Sequence, residues 1–497
     1  MTSGTDDSDR RHAARAGEPV TSSPADRPVT TGPAGEHPSL RRVRHAPFWL
    51  DSPHRPVPEP PLAGAESCEL AVVGAGLMGL WTALLQKERD PGSEVVVLEA
   101  VTAGWAASGR NGGFCMATLT HGSGNGVARF PGEHARLEEL GLANLDAVQR
   151  AIERYGIDCD WQRTGEVMVA TQPWQMEELR EEHRQMRRLG HEVALLDRDQ
   201  MRAEVDSPTY EGALWNRDGC AMADPARLVW GLRRACLERG VRIYEGSPVR
   251  GLTSLRGGVG LSTPGGHVRA RRVVLATNVF RSLLPKVRPY VVPVYDYALM
   301  TEPLSEAQRA SIGWRTRFGM ADQGNRFHYY RLSDDGRLLW GGYDAVYHAG
   351  GRIHSTLDSR PPTFDKLASH FFATFPQLQG LRFSHAWGGA IDTCSRLFCF
   401  WGTALAGRVA YALGYTGMGV AETRFGALVC LDLLGGHETE LTGLALVRST
   451  PVAFPPEPLR TAVVELTRWS LARADERQGR RNLWLRTLDR LGLGFDS

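Results

Sequence analysis

Gly74, Gly76 and Gly79 stand in the run Gly74-Ala75-Gly76-Leu77-Met78-Gly79, and glycines at that spacing have a defined use in holding a pyrophosphate. The first permits a tight turn, the second lets backbone approach the phosphates, and the third lets the following helix pack closely. Glu99, followed by Ala100, stands where a carboxylate can hydrogen-bond the ribose hydroxyls of an adenosine. An acid there disfavours a 2′-phosphate, so FAD or NAD fits better than NADP. Glycine-rich turns also occur as ordinary loops. This one is flanked by an apolar run, Leu70 to Val73, a helix-forming stretch, Leu80 to Gln86, and a second buried-type strand, Val95 to Leu98. The whole strand, turn, helix and strand unit is therefore present, and its helix N-terminus offers free N–H groups and partial positive charge to phosphate.

Other residues could do chemistry around such a cofactor. The loop Ser108-Gly109-Arg110-Asn111-Gly112-Gly113 is too polar and glycine-rich for core; its backbone can approach a ring system, with Arg110 and Asn111 as directional donors. Val273 to Leu275 reads as a buried strand ending in Ala276, Thr277 and Asn278. A late strand, Val409 to Leu413, runs into Gly414-Tyr415-Thr416-Gly417-Met418-Gly419-Val420, a second glycine turn that opens a helix. Candidate pocket residues are His328, Tyr329, Tyr330, Arg331, Asp344 and Trp387. The competing reading of the first four is a period-two strand with one face in the core.

The elements that must position these groups follow from length and pattern. A chain of 497 residues exceeds the size of one core and predicts two domains with extensions. Its 58 basic and 56 acidic residues are too balanced for a nucleic-acid surface, and no apolar run reaches the ~20 residues of a membrane span. The eight cysteines lack CxxC spacing, which fits a reducing cytoplasm and suggests neither a disulfide scaffold nor a metal centre. Residues 1–45, rich in Ser, Thr, Pro, Gly and Arg, read as a disordered tail. Strand-like runs recur from 291 to 383, with a helix expected from Asp365 to Phe375. Two basic amphipathic helices, near 459–473 and 482–491, read as a packing or dimer arm, with a membrane-surface helix as the alternative.

The fingerprint, the Ser-Gly-Arg-Asn-Gly-Gly loop, the Ala276-Thr277-Asn278 strand end and the late glycine turn, in that order, resemble the FAD-dependent amine and amino-acid oxidase superfamily. The branch that looks nearest is gamma-glutamylputrescine oxidase. The resemblance covers residues 45 to 440 and implies an α/β fold: a Rossmann-type FAD-binding domain with a discontinuous chain, plus a mixed-sheet α+β substrate domain. The implied FAD-binding parts are 46–150, 216–290 and 384–445, the substrate parts 151–215 and 291–383, and the helical extension 446–497. Adenosine and pyrophosphate would lie at Gly74 to Gly79 and Glu99, the isoalloxazine against Ser108 to Gly113, Val249 and Asn278, with Gly414 to Val420 under its pyrimidine edge. The implied reaction is oxidation of a small amine or amino acid to an imine by hydride transfer to noncovalent FAD, with oxygen or another acceptor, in a chain that can form a homo-oligomer.

Departures shape the substrate expectation. Sarcosine oxidases carry a lysine where this chain has Trp340, and a histidine and lysine where it has Met418 and Ala421. With that carboxylate clamp absent, Asp344 is expected to meet a cationic amine, with Arg331 as anchor for a distal carboxylate. The alternatives are an NAD-dependent dehydrogenase, which leaves the second glycine turn unexplained, and a noncatalytic flavin-binding redox sensor.

Overall fold

The structure, a computed structural model, describes residues 37–493. Two large sheets carry it. In the first the strand order is Phe400–Ala404, Val409–Leu413, Gly266–Leu275, Gly64–Val73, Val95–Leu98 and Arg242–Tyr244. All neighbours from Val409–Leu413 onward are parallel. Every residue of Val95–Leu98 is buried, as expected where helices cover both faces of a parallel sheet. The register sets Val73 beside Leu98 and Leu275, and Leu275 beside Tyr411. Gly74, Glu99, Ala276 and the chain leaving Leu413 therefore emerge together at the carboxyl edge, where open α/β sheets bind ligands.

The second sheet is mixed. Its order is Val346–Tyr347, Val292–Thr301, Leu338–Gly342, His328–Leu332, Gly319–Asp322, Glu166–Ala170, Gly212–Asn216 and Val193–Asp197, with Phe383–Thr393 also paired to Val292–Thr301. One face packs on the helix Pro361–Thr374 through Trp340, Tyr330, Phe371 and Phe375. The other face looks toward the first sheet.

Three expectations change. Residues 1–36 of the anticipated tail lie outside the described residues, but 37–45 are packed: Leu40 and Val43 are buried in the second sheet's core, and the Arg44 N–H donates to the Ser384 carbonyl (2.9 Å). Two apolar residues suffice there because the rest of the fold supplies a groove, which local composition does not reveal. Strand Phe383–Thr393 belongs to the second sheet rather than to the first, because its pairing with Val292–Thr301 is a long-range match. The helix expected from Asp365 begins at Pro361, since proline at a first turn gives up only an N–H that has no intrahelical partner.

The C-terminal helices, Leu459–Asp475 and Leu483–Arg490, pack on each other through Leu471, Ala474 and Leu485. They are tied to the second sheet by Asp475, whose carboxylate accepts the N–H groups of Asn325 and Arg326 (both 3.1 Å).

Helix Leu77–Arg89 crosses the first strand so closely that a Cβ on Gly79 would lie 1.8 Å from the Gly74 carbonyl oxygen. Gly79→Ala is expected to cost about 3 kcal/mol, at the upper end for overpacking, because backbone must move. Gly132→Ala, with nothing within 4 Å, serves as the control. Urea unfolding of both variants measures the difference.

Candidate functional site

Between the carboxyl edge of the first sheet and the open face of the second lies a cavity of about 1640 Å³. Ligand pockets usually hold ~300–1,000 Å³, so this one has room for a dinucleotide and a second molecule.

The dinucleotide end is built from glycines that make contacts no side chain allows. Gly74 has φ +109°, and a Cβ there would meet the Ala276 carbonyl oxygen at 2.5 Å. A Cβ on Gly76 would lie 2.7 Å from Ser108 Oγ, which itself accepts the Leu77 N–H at the helix start (3.0 Å). The Glu99 carboxylate accepts the N–H groups of Ala75 (2.7 Å) and Val101 (2.9 Å), so it braces the turn as well as lining the cavity; burial raises its pKa. Leu77, Met78, Ala100, Val249 and Asn278 line the same end. Thr277 Oγ1 and Asn278 Oδ1 are buried there without a partner among the described residues, and Asn278 has φ +49°.

The Ser108–Gly113 loop also lines the cavity, but its two expected ligand donors are spent on the protein. Arg110 donates to the carbonyls of Trp105 (2.8 Å) and Gly388 (3.1 Å) and pairs with Asp358 (2.9 Å). Asn111 Nδ2 donates to the carbonyls of Ala107 and Ser108, and its Oδ1 accepts the Gly113 N–H. Short amide side chains in loops satisfy nearby backbone first, which corrects the expectation. Gly109 and Gly113 let that loop pack: Cβ atoms there would lie 2.3 Å and 2.1 Å from the carbonyl oxygens of Gly104 and Ala223.

The late turn is held by a residue that the sequence reading missed. Asp392 is buried; its carboxylate accepts the Gly414 N–H (2.7 Å) and its carbonyl the Thr416 N–H (3.2 Å). Burial pushes its pKa up to about 7. Gly414, Thr416 and Gly417 all have positive φ, and Met418 precedes the helix Gly419–Gly435. Tyr415, Thr416, Gly417, Met418, Gly419 and Val420 line the cavity. Nothing local marks Asp392, because it precedes the turn by a whole hairpin.

Strand pleating sorts the pocket candidates. One row crosses the second sheet in register: Leu214, Met168, Ala321, Tyr329, Gly341, Ala298, Trp387. It forms the cavity floor, with Gly341 leaving room for the Tyr329 ring, which its Cβ would meet at 2.5 Å. Trp387 keeps its place on this floor, its indole N–H donating to the Arg110 carbonyl (2.8 Å). His328 and Tyr330 alternate to the opposite face and do not touch the cavity. His328 pairs with Asp322 (2.7 Å) and His370 (2.9 Å) and stacks on Trp340 and Tyr343; Tyr330 bonds Tyr210 (3.0 Å). Trp340, where sarcosine oxidases carry a lysine, lies on that same core face and does not line the cavity. Arg331 shares the Tyr329 face but lies one pair further along, roofed by Trp49, its guanidinium donating to the Ala223 carbonyl (2.6 Å) and facing Asp160 (3.5 Å). It anchors no substrate carboxylate.

Asp344 does line the cavity, but Lys366 (2.7 Å), Thr363 (2.9 Å) and Arg360 (3.5 Å) surround its carboxylate. Against the pull of burial, these partners bring its pKa below the usual range. A carboxylate already paired with two cations offers no net charge to a third, which corrects its assignment as the cation site. The pair that the sequence reading missed is Tyr329 and Asp296: the phenol donates to the carboxylate at 2.6 Å, and burial pushes Asp296 up to about 6. Asp296 reads only as a polar interruption of an apolar strand, a weak signal that long-range pairing makes meaningful.

The family model described as FAD dependent oxidoreductase matches residues 69–430. This chain belongs to that family. The gamma-glutamylputrescine oxidoreductase of Escherichia coli is 32% identical over 416 residues, 82% of this chain and 92% of that protein. The probable oxidoreductase OrdL of Haemophilus influenzae is 30% identical over 400 residues, 79% and 88%. Among solved structures, glycine oxidase from Geobacillus kaustophilus superposes with TM-score 0.64 at 20% identity, covering 77% of this chain and 99% of that one. As a member of the FAD dependent oxidoreductase family the protein is an FAD-dependent enzyme, which removes the NAD reading. The residues present fit FAD: a glycine cradle that a Cβ would fill, unpaired polar atoms at Thr277 and Asn278, and a cavity of sufficient volume.

Gly76→Glu is expected to abolish FAD retention, since the new side chain displaces Ser108 and sets a carboxylate where phosphate belongs; the ratio of flavin absorbance to protein measures it. His328→Asn should lower stability by about 1.5–3 kcal/mol, the value of a hydrogen bond to a charged group, and leave kcat unchanged. Thermal unfolding and steady-state kinetics together check that His328 is a packing residue.

Proposed function

We propose that this enzyme oxidises the C–N bond of an amine to an imine, handing the electrons to oxygen or another acceptor. The observation that carries this reading is the match, over most of both chains, to an oxidoreductase named for gamma-glutamylputrescine, joined to a cavity whose floor holds Tyr329, Asp296 and Trp387 beside the cofactor loop. Bound FAD supplies a two-electron acceptor. The chain's own residues have the remaining tasks. The Ser108–Gly113 loop and the Gly414–Val420 turn, which both line the cavity, would hold the ring system. The free N–H groups at the start of helix Gly419–Gly435 favour negative charge nearby. The wall of aromatic and aliphatic side chains excludes water.

Asp296 is the proton acceptor in this scheme. An amine loses electrons readily only when its nitrogen is neutral, so a substrate arriving as an ammonium must give up a proton. Asp296, held by the Tyr329 phenol, can take it when ionised. Noncovalent attachment of FAD is supported by the state of the cysteines: all eight are buried, and Cys394, at the cavity wall, has its pKa raised by burial and so holds its proton.

Anaerobic addition of amines should bleach the flavin band, and acid precipitation should leave flavin in the supernatant. Absence of bleaching by every amine tried would overturn the amine-oxidising reading. The pH dependence gives a sharper check. With Asp296 near 6, kcat/KM should fall as pH drops through that value. Tyr329→Phe removes a donor that stabilises the carboxylate, so the pKa of Asp296 rises and the acid limb moves to higher pH. An unmoved limb in Tyr329→Phe would assign it to another acid, such as Asp392.

A further inference from the structure

The acids that line the cavity differ in whether the protein has already answered their charge. Asp344 is answered by Lys366 and Arg360, Asp322 by His328, Glu138 by His191 (3.2 Å), and Asp392 by the Gly414 N–H. Glu166 and Glu182 are not: neither accepts a hydrogen bond nor forms an ion pair among the described residues, yet both line the cavity and are half-buried. Burial and the neighbouring Glu182 carboxylate push Glu166 up to about 7. Carboxylates partly withdrawn from water and left without partners are costly, and proteins ordinarily pair them. His121 also lines the cavity. His121 Nδ1 is buried without a partner among the described residues, its ring is kept neutral by burial, and its φ of +57° is in a region that non-glycine residues rarely adopt.

The pleat fixes where this group stands. Glu166 projects to the floor side of its strand, as Met168 does, and its register partners are Asn216 and Gly319. Tyr329 is two strands away from Met168, through Ala321. With strands ~4.8 Å apart and ~3.3 Å per residue along a strand, Glu166 is rooted roughly 12 Å from Tyr329. The cavity therefore has an aromatic end at Tyr329 and Trp387 and, across the floor, an end where Glu166 and Glu182 have no ion-pair partner among the described residues. An alkylammonium carries donors only and one positive charge, and so complements such an end.

We propose that Glu166 and Glu182 form a subsite for a second, distal ammonium group of the substrate. The preferred substrate is then a linear diamine or polyamine-type chain, its reacting amine at the Tyr329 end and its other cation at Glu166 and Glu182. This assignment rests on the amine-oxidising function proposed above.

Three probes of equal length separate the possible tails: 1,6-diaminohexane, hexylamine and 6-aminohexanoate, with cationic, neutral and anionic ends. Titration calorimetry on the FAD-loaded protein should rank them in that order, with the diamine about tenfold tighter than hexylamine, as one desolvated ion pair gives. In the isosteric Glu166→Gln/Glu182→Gln double variant the ratio of diamine to hexylamine affinity should fall to near one. Equal binding of the three probes by the wild type, a preference for 6-aminohexanoate, or an unchanged ratio in the double variant would overturn the subsite. The wild-type ranking requires no variant to fold. Anaerobic bleaching in the same samples reads the oxidase function separately: binding in the expected order without bleaching by any amine refutes the oxidase reading and leaves the cation subsite standing.

Discussion

Everything in the site hangs on the loop from Ser108 to Gly113, because it is bonded from three directions at once. Ser108 Oγ accepts from the start of the first helix, the Trp49 indole N–H reaches the Asn111 carbonyl (2.9 Å), and the Trp387 indole N–H reaches the Arg110 carbonyl from the second sheet. Arg110 adds bonds to Gly388 and Asp358. One short glycine-rich segment thereby joins the two sheets at the line where their faces meet. Hydrogen bonds of this kind are individually modest, of order 1 kcal/mol net, but they converge on a segment with no apolar packing of its own. Their gain is positional: they fix the distance between the dinucleotide edge and the Tyr329 floor.

The cavity that results is large, and its electrostatics are uneven. Near the floor's centre, charges are answered within the protein, as Asp344 is by Lys366 and Arg360. At the far end Glu166 and Glu182 are left to the contents of the cavity. That unevenness cannot be read from net charge, which is near zero for the whole chain at +2. It arises because the strand Glu166–Ala170 and the helix Gln175–Arg188 bring Glu166 and Glu182 to one cavity, while Lys366 and Arg360 meet Asp344 elsewhere on it. The C-terminal helices complete the enclosure: Val463, Thr467 and Leu471 line the cavity, and Asp475 ties their helix to the loop at Asn325 and Arg326.

The strand His328–Leu332 shows how little separates a pocket residue from a core residue. Four successive polar or aromatic side chains, each plausible in a site, divide strictly by parity and by depth. Tyr329 faces the cavity; His328 and Tyr330 face the helix Pro361–Thr374; Arg331 shares Tyr329's side but lies beyond the cavity under Trp49. A one-residue change of register would exchange the first two sets, so what fixes their roles is the pairing of this strand with Leu338–Gly342 and Gly319–Asp322.

The sequence by itself determined the features that depend on backbone shape over a few residues: the strand and turn into Gly74 to Gly79, the acid at Glu99, the glycine loop after it, and the second turn at Gly414. Only glycine tolerates those φ values and approaches, so the residue type carries the geometry with it. Tertiary structure alone decided the residues whose meaning comes from a distant partner. Asp392 matters because it meets Gly414, Asp296 because it meets Tyr329, and Glu166 because no described residue hydrogen-bonds or ion-pairs with it. Asp344 lost its expected role, and Arg110 and Asn111 became braces, for the same reason: a side chain's charge or donor is available to a ligand only after the fold has placed, or failed to place, a closer partner beside it.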